Sequence, residues 1–221
     1  MALSQSPSKR EPLHTRSITV RSYGRDDGLW DLEAELIDTK AYDFPTRSGA
    51  PFVAGRHLHH MHLRVTIDAD FLIVAAEAAY DAAPYDQECF AIDSAYEGLV
   101  GLNLLKNFRG QVKARFGRTE GCTHMTELGN VLPTVAVQTM ANQRRVKEDD
   151  GQRPFQLDGC HALRTDGPTV LHFYPKWYTG AEAQDSLPHA EADSRVSGAS
   201  SASTDASTPS AVGSTGNTSC K

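Results

Sequence analysis

The stretch His57-Leu-His-His-Met-His-Leu-Arg-Val-Thr-Ile-Asp68 decides the fold. His57, His59, Met61, Leu63, Val65 and Ile67 alternate with Leu58, His60, His62, Arg64 and Thr66, a period of two that suits an extended chain with one apolar face. A long strand is therefore predicted here. Phe71 to Tyr80 reads as its antiparallel partner across the tight Asp68-Ala-Asp70 turn. Upstream, Ile18 and Val20 mark one side of the stretch from Arg16 to Tyr23, and Trp30, Leu32, Ala34 and Leu36 alternate with Asp31, Glu33 and Glu35. Gly24-Arg-Asp-Asp-Gly28 between these two stretches has hairpin-loop chemistry, with Gly28 able to take positive φ. Four strands precede any helix.

Helical spacing follows. Ile92, Tyr96, Leu99 and Val100 fit one helix face, and Phe108, Val112 and Phe116 fit a second helix ended by Gly117. A third helix is predicted from about Thr123, read as its N-cap, toward Arg145, with a kink or break at Pro133. Leu157 to Leu163 and Val170 to Tyr174, about the turn Asp166-Gly-Pro168, read as a closing hairpin. Strands first and helices after give an α+β class: an antiparallel sheet of four to six strands with about three helices on one side. The boundaries expected are one domain over 13–180 and a disordered Ser/Thr/Ala/Gly-rich tail over 184–221, too poor in large apolar residues to offset the entropy of ordering.

The 221 residues suit one well-cored domain. A net charge of −6 with both signs scattered leaves no basic stripe for a phosphate backbone, so nucleic acid is not an expected partner. The first 30 residues lack an apolar h-region and the longest apolar run, Phe71-Leu-Ile-Val-Ala-Ala76, is too short for a bilayer, so no membrane association is expected and the address expected is cytoplasmic. The four cysteines (Cys89, Cys122, Cys160 and Cys220) form no disulfide framework and read as free thiols or metal ligands, except Cys220, which in the tail reads as neither.

His60 and His62 fall on the polar face of the long strand. His57 and His59 fall on its apolar face, where an imidazole needs a partner to offset lost hydration. His59 reads either as a hydrogen-bonded core histidine or as a base or ligand. Cys122, His124 and Glu127 stand at a helix N-terminus, where free N–H groups favour a thiolate. His124 and Glu127 share a face, whereas Cys122 joins them only if it precedes the first turn. Lys40 and Tyr42 project from one side of a strand end, and a lysine near a phenol lowers its pKa into the range of general acid–base chemistry. A surface lysine over an aromatic ring is the alternative. There is no Walker loop, Gly-x-Gly-x-x-Gly, His-Glu-x-x-His or Gly-x-Ser-x-Gly, which disfavours nucleotide-driven chemistry and the common serine hydrolases.

Arg25-Asp-Asp-Gly-Leu-Trp-Asp31, Leu36-Ile-Asp-Thr-Lys40, His59 to Asp68, Ala82-Ala-Pro-Tyr85, Gly121-Cys-Thr-His-Met-Thr-Glu-Leu128 and Leu157-Asp-Gly-Cys-His-Ala162 together resemble an uncharacterised bacterial family, the domain of unknown function numbered 2889. Its bacterial setting implies a catabolic enzyme and suggests an aromatic or phenylpropanoid-like substrate. The order strand, acidic turn, strand, proline loop with Cys89, helix, then Cys122 at a helix start is also similar to iron–sulfur scaffold proteins of the NifU and SufE type. That likeness implies one metal site, with His57 where a cysteine stands and His59 where an aspartate stands, completed by Cys89 and Cys122. The usual first cysteine is missing here.

Two function classes follow. The first is a small-molecule enzyme, an acid–base lyase or isomerase, with His59, Lys40, Tyr42, His124 and Glu127 as catalytic candidates beside Cys122. The second is a non-catalytic metal or iron–sulfur protein holding a zinc or iron ion on His59, Cys89 and Cys122. Self-association into a homo-oligomer is left open.

Overall fold

The structure, a computed structural model, describes residues 3–46, 49–148 and 151–180. The expected tail over 184–221 lies outside the described residues. The chain divides into two compact units, Met1–Pro154 and Phe155–Lys221, whose boundary falls inside the 13–180 range read from sequence as one domain.

In the first unit the expected hairpins form a four-stranded antiparallel sheet. Strand β1 (His14–Gly24) turns through Gly28, at φ 82°, into β2 (Trp30–Lys40). A two-residue pair, β3 (Phe44–Pro45) and β4 (Pro51–Phe52), stacks the rings of Phe44 and Phe52 at 4.9 Å. The histidine-rich stretch is β5 (His57–Ile67), paired with β6 (Ile73–Ala82), and the sheet order is β1-β2-β5-β6. The β5–β6 turn is held by the Asp68 carboxylate, which accepts from the backbone N–H of Asp70 and Leu72 at 2.8 and 2.9 Å. Such side-chain acceptance is how an Asx turn replaces ladder bonds at a tight reversal.

Alternation buries one face. Leu32, Ala34 and Leu36 on β2 and Met61, Leu63, Val65 and Ile67 on β5 are buried. The short helix α1 (Asp86–Phe90), a 3-10 segment (Asp93–Leu99), α2 (Phe108–Phe116) and α3 (Thr123–Glu148) follow. Met125, Leu128, Leu132, Ala136 and Met140 recur at three- and four-residue steps along α3 and are all buried, and α3 packs across β1, β2 and β5. The helix continues through Pro133. The segment read as a helix around Tyr96 is 3-10, with its two buried side chains, Tyr96 and Leu99, one turn of that tighter form apart, whereas Val100 is 43% exposed.

Two corrections follow from local geometry. A β-bulge shifts the β2–β5 register between Asp38 and Thr39, so that Asp38 pairs with His59 and Thr39 with His57. Because paired residues share a face, the bulge at Leu58 moves His57 off the apolar face and onto the outer one. The second unit, described over residues 155–180, contains no hairpin there. Its elements are a 3-10 turn (His161–Leu163), α4 (Pro168–Phe173) and a 3-10 turn (Pro175–Trp177). The pair read as a hairpin turn, Gly167-Pro168, instead opens α4, since proline at the first helical position has its φ preset and lacks only an N–H that would be unpaired anyway.

Candidate functional site

Asp38 continues the inward row Leu32, Ala34, Leu36 by one more step, which puts a carboxylate, 1% exposed, at the end of an apolar face. A buried charge persists only when paired and hydrogen-bonded, and here all its acceptor positions are used. Oδ1 accepts from His14 Nε2 at 3.1 Å and Arg16 Nε at 2.8 Å. Oδ2 accepts from an Arg16 terminal nitrogen at 2.7 Å and from His59 Nδ1 at 2.9 Å. His124 Nε2 stands 3.9 Å from Oδ2. Arg16 also pairs with Glu127. The network thus ties β1, β2, β5 and α3 together around one carboxyl.

Burial opposes ionisation of Asp38, but Arg16 and then His59 outweigh it and hold the carboxyl at about 2, against an ordinary 3.8. An ionised carboxylate only accepts, so the proton of His59 is on Nδ1 and Nε2 carries the lone pair. Burial lowers the His59 pKa, Asp38 opposes this, and the nearby Arg16 and His14 add to the lowering. Among the described residues His59 Nε2 has no hydrogen-bond partner. The ring lies against that of His124, centroids 3.9 Å apart.

Cys122 precedes the first turn of α3, as its facing His124 requires. Its carbonyl accepts from Thr126 N–H at 2.9 Å, and the Tyr96 hydroxyl bonds both its N–H (2.9 Å) and its carbonyl (2.8 Å). The thiol sits 3.9 Å from His124 Nδ1. Burial raises the thiol pKa, but the His124 ring, the N–H groups of Met125 and His124 and the Tyr80 hydroxyl leave it below the ordinary value. Tyr80 is buried, and its hydroxyl makes no hydrogen bond of ordinary geometry among the described residues, yet it faces Cys122 closely enough for each to bear on the other's ionisation. Burial first, then Cys122, Tyr96 and Cys89, push the phenol well above its usual range.

The sequence-predicted residues divide. His59, His124 and, through Arg16, Glu127 belong to the network, with Cys122 at its edge. Lys40 stands opposite His14 in register, and Tyr42 lies past the strand end, 45% exposed and edge-on to Phe44 at 6.2 Å. Neither hydrogen-bonds to the network among the described residues, because β2 ends at Lys40 and the chain turns away. Cys89 sits in α1, half-buried. Among the described residues two groups place three ligand atoms within 4.8 Å of one another: Asp38, His59 and His124, and Glu35, His60 and His62. Neither contains Cys89 or Cys122, so the cysteines stand outside the group to which His59 belongs.

Asp38, Arg16 and His14 were not among the candidates read from sequence. Their signal was a charge in phase with an apolar row: Asp38 with Leu32, Ala34 and Leu36, and Arg16 with Ile18 and Val20. A cavity of about 730 Å³ opens at the same end of β5, walled by Phe44, Phe52, His57, Leu58, Asp81 and Tyr85 among others. No helix of the described residues is long and apolar enough to cross a membrane.

No curated protein and no solved structure matches the chain. A family model described as a protein of unknown function, DUF2889, matches residues 14–138, more than half of the chain, and the protein belongs to that family.

Proposed function

We propose that the protein is a small-molecule enzyme that moves a proton by acid–base catalysis, a lyase or isomerase, with His59 as the base. The observation that carries this reading is the buried Asp38–His59 pair, in which Asp38 fixes the Nδ1–H tautomer and leaves Nε2 unpartnered. In the reaction Nε2 takes a proton from a carbon next to a carbonyl or from a phenol, and Asp38 steadies the imidazolium until the proton is returned. Arg16 keeps Asp38 ionised. His124, against the His59 ring, is the second proton-carrying group. An aromatic or phenylpropanoid-like substrate is proposed on the aromatic side chains Phe44, Phe52, Tyr85 and Phe90, which line the cavity at the His57 end of β5.

A metal reading draws support from the spacing of Asp38, His59 and His124. It fits less well, since Arg16, His14 and His59 already occupy the Asp38 oxygens and a cation would sit beside a guanidinium. Metal analysis of wild type and His59→Gln, both purified without oxygen, separates the readings: an ion at this group is lost in the variant, whereas the acid–base reading expects equal metal content in the two proteins. The acid–base reading is tested by proton NMR in D2O with a panel of hydroxyaromatic carbonyl compounds. Deuterium should enter at an exchangeable carbon with the wild-type chain and not with His59→Gln; equal exchange by the two proteins refutes it.

A further inference from the structure

The outer face of the sheet carries a second set of metal-capable side chains. His60 and His62 project from the same side of β5 with ring centroids 4.6 Å apart. Glu35 reaches them from β2, where it pairs in register with His62, and its Oε1 lies 2.9 Å from His60 Nε2. Asp81 reaches them from β6, its Oδ2 2.9 Å from His62 Nε2 and 3.4 Å from His60 Nδ1.

We propose that Glu35, His60 and His62 bind a divalent transition-metal ion of the zinc class, with Asp81 orienting the two imidazoles. One ligand atom from each of the three lies within 4.8 Å of the others. Ligands each about 2.0 to 2.2 Å from one ion lie within about 4 Å of one another, so side-chain adjustment of under about 1 Å closes the site. Two imidazoles and one carboxylate favour zinc-like ions over calcium or magnesium, which take oxygen ligands. Three protein ligands leave a coordination position open. With His60 Nε2 on the ion, its Nδ1–H faces Asp81 Oδ2 at 3.4 Å, so that Asp81, already bonded to His62 at 2.9 Å, is placed as the outer-shell carboxylate that fixes ligating imidazoles. Arg21, 3.8 Å from Glu35 Oε2, leaves Oε1 with His60, its fellow ligand, and with no guanidinium, in contrast to Asp38, which carries Arg16 on both oxygens. Access is open, since His62 is 38% exposed. His57, edge-on to His60 at 4.9 Å, and Asp81 both wall the large cavity, so the ion stands beside it.

This site is independent of the Asp38–His59 reading, which concerns the other face of β5. The test uses the full chain, stripped with chelator and titrated with zinc chloride by calorimetry and with cobalt chloride by visible absorption. One ion per chain is expected. Asp81→Asn should weaken binding roughly 10-fold and His62→Gln more than that, whereas His59→Gln and Cys122→Ser should leave it unchanged. On the wild-type chain, cobalt should broaden or shift the imidazole resonances of His60 and His62 most. The proposal is overturned by absence of binding, by unchanged affinity in His62→Gln, or by a cobalt effect centred on His59. Should a variant fail to fold, the wild-type spectrum decides alone.

Discussion

Replacing Asp38 with Asn removes one negative charge and keeps the side chain's shape. The carboxyl is held at about 2 instead of 3.8, which corresponds to about 2.5 kcal/mol in favour of the charged form in the folded state. The amide also leaves Arg16 without its buried partner and presents an NH2 group to donors that need an acceptor. Losing one partner of a buried ion pair costs about 3 to 5 kcal/mol, and the partial exposure of Arg16, 28%, together with its second partner Glu127, moderates that. The expected loss is about 2 to 4 kcal/mol at pH 7. Urea unfolding followed by far-UV circular dichroism measures it directly. The pH dependence sharpens the test. Asp38 has a depressed folded pKa, so its contribution is fully present above the unfolded value, 3.8, and is lost as pH falls through about 2. The gap between wild type and Asp38→Asn should therefore shrink between pH 4 and 2. A loss under about 0.5 kcal/mol at pH 7, or a gap that does not change with pH, refutes the view of Asp38 as the hub of the network.

His59 has a folded pKa below 6.5, so the unfolded chain takes up a proton first as pH falls below that value, and wild-type stability should decline there while His59→Gln lacks that limb of the urea–pH profile. Tyr80→Phe removes a buried hydroxyl that has no well-formed hydrogen bond, so stability should change by less than about 1 kcal/mol in thermal unfolding. The same change removes one of the groups that lower the Cys122 thiol, so the pH midpoint of iodoacetamide alkylation at Cys122 should rise. Leu128→Ala, on the fully buried side of α3, should cost about 2 to 5 kcal/mol of unfolding free energy.

The sheet was legible because its strands alternate cleanly and its turns carry Gly28 and Asp68, and local chemistry of that kind does not depend on distant residues. The long α3 was legible from its three- and four-residue apolar steps. The bulge at Leu58 was not: one extra residue reverses the facing of His57, and nothing in the composition of His57-Leu-His59 distinguishes a bulged strand from a straight one. The second unit was misread because Gly167-Pro168 serves equally as turn chemistry or as a helix start, and only packing around the buried Val170 chooses between them. In the site, His59, His124 and the forward position of Cys122 were legible from periodicity and helix-end geometry. Lys40 and Tyr42 were grouped with them on the assumption that β2 continues, whereas it ends at Lys40. Asp38 was passed over although a carboxylate in phase with an apolar row demands partners, and His14 and Arg16 supply them from a neighbouring strand by register alone.

The measurement that bears most directly on His59 as a neutral, oriented base is a nitrogen-15 NMR titration of the histidine side chains. The His59 ring should be protonated on Nδ1 and unprotonated on Nε2 at pH 7, gaining its second proton only below 6.5. An Nε2–H tautomer, or an imidazolium already present at pH 7, would contradict this reading of His59.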